Sequence, residues 1–142
     1  MRLWHTDLIS VLPREQLVAQ WRELSAIAGA IQKNGTPNHI LVNFVLDYDY
    51  DHFISYAYYL RKEMTSRKYR TMDSVWNKIV SLKPKYKLLP LNEVYKEKMD
   101  KEYMMICYYN LYEKYLCGGG IDEETWNKIM LKSYLSGVKK DA

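Results

Sequence analysis

Residues 8–33, LISVLPREQLVAQWRELSAIAGAIQK, decide the fold of this chain. Leu17, Trp21, Leu24, Ala28 and Ile31 recur at the spacing of a buried helical stripe, so at about 100° per residue they share one side of an amphipathic helix. Pro13 suits a first helical turn, whose N–H has no partner to lose, and Asn34-Gly35 supplies a stop signal. A helix is therefore predicted over 13–34. Opposite the stripe lie Ala19, Ala26, Gly29 and Ala30, where a helix facing water would carry Lys, Glu or Gln. Small residues leave room for another backbone or a ligand, and Arg22 and Glu23 flank this bare strip. Two readings fit: the N-terminal segment packs on the strip and the two charges are solvated, or the strip borders a site.

Working outward, 39–46 is a short apolar run with no second strand to pair with, so it reads as an extended, buried connection. Phe53, Tyr56, Ala57, Leu60 and Met64 predict a helix over 51–70, capped by Asp49 or Asp51. Arg61, Lys62, Arg67, Lys68 and Arg70 crowd toward its end, either as a solvated terminus that complements the helix dipole or as a phosphate-contacting surface. Asp73 is expected to cap a shorter helix through Leu82. Lys83-Pro84-Lys85-Tyr86-Lys87 then makes a basic, proline-stiffened loop that can hold phosphates and stack on a base, or serve as a linker. A long helix is predicted over 91–116, ended by Gly118-Gly119-Gly120. Asp122 caps a final helix to about Gly137, followed by a basic tail at Lys139-Lys140. The expectation is an all-α fold, one domain spanning 1–142, of several helices joined by long loops.

The 142 residues carry a net charge of +4, with an isoelectric point near 8.9. That charge suits nucleic acid or another anion, and also an ordinary soluble protein. Fourteen tyrosines and four tryptophans against two phenylalanines say more. Tyrosine serves where one edge is packed and the other meets water, a base face or a phosphate oxygen. Cys107 and Cys117 have neither zinc nor redox spacing, and no signal peptide is evident. A reducing, cytoplasmic setting is the expectation, and no apolar run is long enough to span a membrane. His5, His39 and His52 lack partners at metal-ligand spacing, so neither a metal nor a cofactor is expected. The glycines after residue 117 lack the lysine and hydroxyl of a phosphate-binding loop.

Leu8, Ser10, Leu12, Leu17, Ala19, Trp21-Arg22-Glu23-Leu24, Gly29-Ala30-Ile31 and Lys33 together resemble the pyrimidine-dimer DNA glycosylases, the phage endonuclease V-like family. Tyr59-Leu60-Arg61-Lys62 continues the likeness. The opening Met1-Arg2-Leu3-Trp4-His5, with Leu12-Pro13-Arg14 and Gln16-Leu17, is similar to a bacterial branch of that family. Clear likeness runs over residues 1–33 and extends toward residue 70. The chain departs from the pattern in three ways. Arg2 blocks removal of the initiator Met, Ala26 stands where the family has a second basic residue, and the C-terminal aromatic and basic cluster has only Tyr108–Tyr115 as its nearest counterpart in character.

The resemblance implies a combined glycosylase and abasic-site lyase acting on double-stranded DNA that contains a damaged pyrimidine or an abasic site. It implies the chain's first α-amino group as nucleophile, hence Met1, and Glu23 as the carboxylate that assists it. Arg2 and Arg22 would hold flanking phosphates, with Lys33, Arg61, Lys62, Lys85 and Lys87 as further DNA contacts and His5 and Gln16 as accessory residues. His5 equally suits a structural hydrogen-bonding position. An α-amino group titrates near 7.7–8.0, against about 10.4 for lysine, so part of it is neutral and nucleophilic at physiological pH. The expected molecule is a monomer. The alternatives are a damaged-DNA-binding module of the same fold that does not cut, and a small interaction protein whose tyrosines contact another chain.

Overall fold

The computed structural model describes residues 1–136. Among these, every regular element is helical. Helix α1 spans Arg14–Asn34, with Pro13 at its N-cap and Gly35 at its C-cap. Gly35 takes a left-handed φ of 76° and returns its N–H to Ile31 O at 2.8 Å, the conformation for which a glycine is suited. The predicted stripe is buried at Leu17, Trp21, Leu24 and Ala28, with Ile27 joining it. Helices α2 (Asp51–Ser66), α3 (Asp73–Ser81), α4 (Lys101–Leu116) and α5 (Glu123–Leu135) complete the set. α2 and α3 pack on α1, and α5 packs on α4 and on a 3-10 turn at Thr6–Val11. One apolar cluster joins all of them, from Leu8 and Leu24 through Phe53 and Ile79 to Leu111 and Ile129.

The bare strip of α1 is covered only in part, with Ala26 exposed. Gly29 lies under α3, where an added Cβ would meet Lys78 Nζ at 2.9 Å, while Ala19 belongs to the cleft described below. The 39–46 segment is not extended and buried. It turns at His39 and forms a 3-10 helix at Asn43–Asp47, with Ile40 88% exposed and only Val42 and Val45 buried. That i, i+3 pair is what a 3-10 turn can bury. The helix predicted over 91–116 begins ten residues late, at Lys101. Val94 and Tyr95 are drawn into the core, and Tyr95 reaches it with a positive φ of 51°, which no α-helix can pass through. Asp100 restarts the chain by accepting the Tyr103 N–H at 2.8 Å. The second predicted helix stops at Ser66 rather than at residue 70, because Lys68 turns left-handed.

Asp122 caps the last helix as expected, accepting the Thr125 N–H, whereas neither Asp49 nor Asp51 caps α2: its N-cap is Tyr50, Asp51 is its first residue, and Asp49 closes the turn ahead of it by accepting the Asp51 N–H. Asp73 does not cap α3; it is the helix's first residue and pairs with Arg61. Gly118-Gly119-Gly120 does end α4, with left-handed φ at Gly118 and Gly120. Gly137, Lys139 and Lys140 lie outside the described residues. The tyrosines have a use that composition did not reveal. Tyr50, Tyr56, Tyr59 and Tyr103 are packed side chains whose hydroxyls donate to the backbone carbonyls of Ile79, Trp4, Leu89 and Leu3, pinning non-helical segments to the helices. No helix among the described residues is long and apolar enough to cross a membrane.

Candidate functional site

The chain opens with no regular structure over residues 1–5, and Leu3, Trp4 and His5 are buried. Three helices hold this segment by its backbone. Gln20 of α1 accepts the Trp4 N–H at 2.8 Å and donates to Arg2 O at 2.8 Å. Tyr56 of α2 donates to Trp4 O at 2.6 Å, and Tyr103 of α4 donates to Leu3 O. His5 closes the segment. Its Nδ1 accepts the Asp7 N–H at 3.0 Å, so the ring proton sits on Nε2, which donates to Met99 O at 3.0 Å. Burial lowers the His5 pKa, with Asp7 the chief opposing influence. His5 therefore fills the structural position and does not line the cleft.

Beside the anchored segment lies a cleft of about 840 Å³. Met1, Arg2 and Trp4, a face of α1, and Asn110 and Lys114 of α4 line it. Gln16, Ala19, Arg22 and Glu23 fall on one helical face because their spacings are three, four and seven. Ala19 keeps the middle of that face low, as its small side chain allows. Gln16 also lines the cleft, and its buried Oε1 has no hydrogen-bond partner.

The electrostatics centre on Glu23. Burial raises its carboxyl above the ordinary range, while the terminal amino group, the Arg2 backbone N–H and the Arg22 guanidinium pull the other way, in that order. Glu23 Oε2 also takes a 3.3 Å hydrogen bond from Gln20 Nε2. A carboxyl displaced toward neutrality is better matched to giving and taking protons. Around it, Arg2, Arg14, Arg22 and Lys114 line the cleft, and among the described residues none of the four is ion-paired with a carboxylate. Arg2 donates to Asn110 Oδ1 at 3.4 Å and lies 5.8 Å over the Trp4 ring; Arg14 lies 5.2 Å over Tyr69. Four cations against the two lining carboxylates, Glu15 and Glu23, leave this concave surface with an excess of positive charge suited to phosphates.

The structure thus brings Met1, Arg2, Gln16, Arg22 and Glu23 to one cleft. Lys33, Arg61, Lys62, Lys85 and Lys87 do not line it. Lys33 is exposed ten residues beyond Glu23, about 15 Å along the helix axis at 1.5 Å per residue. Arg61 is committed elsewhere: it pairs with Asp73, bonds Thr71 at 3.0 Å and lies within 6 Å of the Trp21 and Trp76 rings. Lys62 is exposed on α2. Lys85 and Lys87 are exposed on a loop that Lys83 fastens to Asp49 at 2.7 Å and Asp51 at 3.1 Å. Arg67 is also structural, donating to Leu12 O at 2.7 Å and Ser10 O at 3.2 Å. The aromatic run Tyr108–Tyr115 is partly spent on packing, since Tyr112 and Tyr115 stack on Trp126 at 5.4 and 5.0 Å.

Residues 1–77, just over half of the chain, match the family model for pyrimidine dimer DNA glycosylase. The chain belongs to this family. Searches of curated proteins and of solved structures find no match. Membership makes the chain a DNA glycosylase in general terms, with DNA as its substrate, and places it in DNA repair. In this glycosylase the matched region carries Met1 to Glu23, while Asn110 and Lys114 lie beyond it. Sequence reasoning passed over Gln20, although a signal was present. Position 20 falls on the buried side of α1, between Leu17 and Leu24, where an amide needs buried partners. Asn110 and Lys114 carried no such signal, because their place in this glycosylase's cleft depends on how α4 docks.

Proposed function

We propose that this glycosylase couples base removal to strand scission through an imine formed on the Met1 α-amino group. The observation that supports this reading is the chain terminus lining the same cleft as Glu23, and being the strongest charge that stabilises its carboxylate form. The neutral amine attacks C1′ of the damaged nucleotide and the glycosidic C–N bond breaks, the base leaving with that electron pair. The positively charged nitrogen on C1′ gives a proton to the Glu23 carboxylate, its freed lone pair opens the C1′–O4′ bond, O4′ takes that proton and an iminium forms. The iminium acidifies the C2′ hydrogen; a base removes it, the C3′–O bond breaks and the 3′ phosphate departs. Hydrolysis of the remaining imine frees the amine. Glu23 is the group suited to protonate O4′ and then to accept the C2′ proton, because its raised pKa favours both directions of transfer.

In this proposal Arg2 and Arg22 hold the phosphates that flank the lesion, and the nucleotide reaches the cleft by bending and flipping of the duplex. The protein acts as a monomeric domain on DNA carrying a damaged pyrimidine or an abasic site. Borohydride trapping tests the mechanism. The expected result is a covalent adduct between the protein and a duplex containing an abasic site, mapped by mass spectrometry to Met1. Binding of the same duplex without any adduct would replace the lyase with a recognition module. Intact mass shows whether Met1 is the mature first residue, and one or two residues added ahead of it should abolish the adduct.

A further inference from the structure

We propose that Gln20 is a positioning residue that fixes the chain's terminal amine against Glu23. The inference rests on the imine reading above and adds the device that makes a chain end precise enough for it. Gln20 is 1% exposed, and both ends of its amide are engaged. Its Oε1 accepts the Trp4 N–H at 2.8 Å, with the Tyr56 hydroxyl 3.0 Å away; its Nε2 donates to Arg2 O at 2.8 Å and to Glu23 Oε2 at 3.3 Å. The amide's orientation follows from backbone polarity. Turned over, it would set its NH₂ against the Trp4 N–H and its oxygen against both Arg2 O and Glu23.

One side chain therefore grips the N-terminal segment at residues 2 and 4, as a neighbouring β-strand would, and touches the carboxylate with the same nitrogen. Holding the Arg2 carbonyl leaves only the torsions of Met1 and Arg2 to place the amine. A free terminus would sample far more positions, and a reaction between two groups slows steeply when their mutual placement is lost. Glutamine is the residue type that fits. Glutamate would keep the bond to the Trp4 N–H but would turn a donor into an anion facing Glu23 and Arg2 O. A lysine or arginine has no acceptor for Trp4.

The test compares wild type with Gln20→Met and Gln20→Glu, using Tyr50→Phe as a stability control; Tyr50 tethers Ile79 O and does not line the cleft. The titration of the Glu23 side-chain carboxyl is followed by NMR in each protein, with the terminal amine free and acetylated. In wild type, acetylation should move the Glu23 midpoint upward, because it removes a stabilising positive charge. In Gln20→Met that response should vanish, and Gln20→Glu should raise the midpoint outright. An equal response to acetylation in wild type and Gln20→Met overturns the proposal. In parallel, single-turnover trapping on abasic DNA should slow about 100-fold in Gln20→Met. Affinity for a duplex bearing a tetrahydrofuran abasic analogue should stay within threefold of wild type. Loss of affinity and trapping in equal measure, matched by Tyr50→Phe, would leave Gln20 a merely structural residue. Wild type that forms no adduct ends the imine reading alone, since the acetylation experiment decides Gln20 without DNA.

Discussion

At the scale of single residues, Glu23 and His5 are two buried or half-buried titratable groups whose pKa values move in opposite directions. A carboxyl whose folded pKa is raised costs stability when both states are ionised, and that cost is relieved as pH falls through the folded value toward the unfolded one near 4.5. Glu23→Gln should therefore raise the melting temperature at pH 8 and show a shrinking advantage toward pH 4, while trapping on abasic DNA falls about 10²- to 10⁴-fold, the usual worth of a positioned proton-transfer group. For His5 the sign is reversed. Its folded pKa lies below 6.5, so the unfolded chain takes up the proton first and stability is lost as pH drops below about 6.5. Urea midpoints measured at pH 8 and pH 5.5 should differ less in His5→Gln than in wild type; His52, also lowered chiefly by burial, supplies the remainder. Glu23 was legible in the sequence because a family pattern surrounds it. Gln20 was written there too, as a polar residue on an apolar stripe, but its partners are backbone groups with no side-chain signature.

At the scale of elements, α1 was readable because its stripe, its leading proline and its closing Asn-Gly agree, and the caps at Gly35 and Asp122 follow from local chemistry. What failed did so where tertiary packing overrode local pattern: at 39–46, and at Val94-Tyr95, whose burial breaks a run that reads as helix. The caps give a direct check. Asp122→Ala should lower the urea midpoint of unfolding, as loss of an N-cap side chain commonly does. Gly29→Ala is expected to be neutral or stabilising by up to about 1 kcal/mol. Alanine gains helix propensity, and the atom it approaches is the flexible tip of Lys78.

At the scale of the whole molecule, the question is where the positive surface lies. Sequence placed cations along the second helix and the basic loop, whereas Arg61, Arg67 and Lys83 are spent on internal pairs and bonds, Lys33, Lys62, Lys85 and Lys87 stand elsewhere on the surface, and Arg2, Arg14, Arg22 and Lys114 line the cleft. No local pattern announces this, since pairing depends on which helices meet. Binding to undamaged duplex should weaken steeply with salt, the logarithm of the constant falling, for each tenfold rise in salt, by about 0.9 per phosphate neutralised. Arg22→Ala, Arg14→Ala or Lys114→Ala should each lower that slope by about 1, whereas Arg61→Ala should leave it unchanged while reducing stability.

Asn110 and Lys114 bring α4 to the cleft from outside the matched residues 1–77, whereas Met1 and Glu23 lie within them. On the proposed mechanism, a substitution at Lys114 is expected to change which distorted nucleotides fit while leaving the amine and its carboxylate in place, so affinity for damaged duplexes should shift more than trapping on abasic DNA.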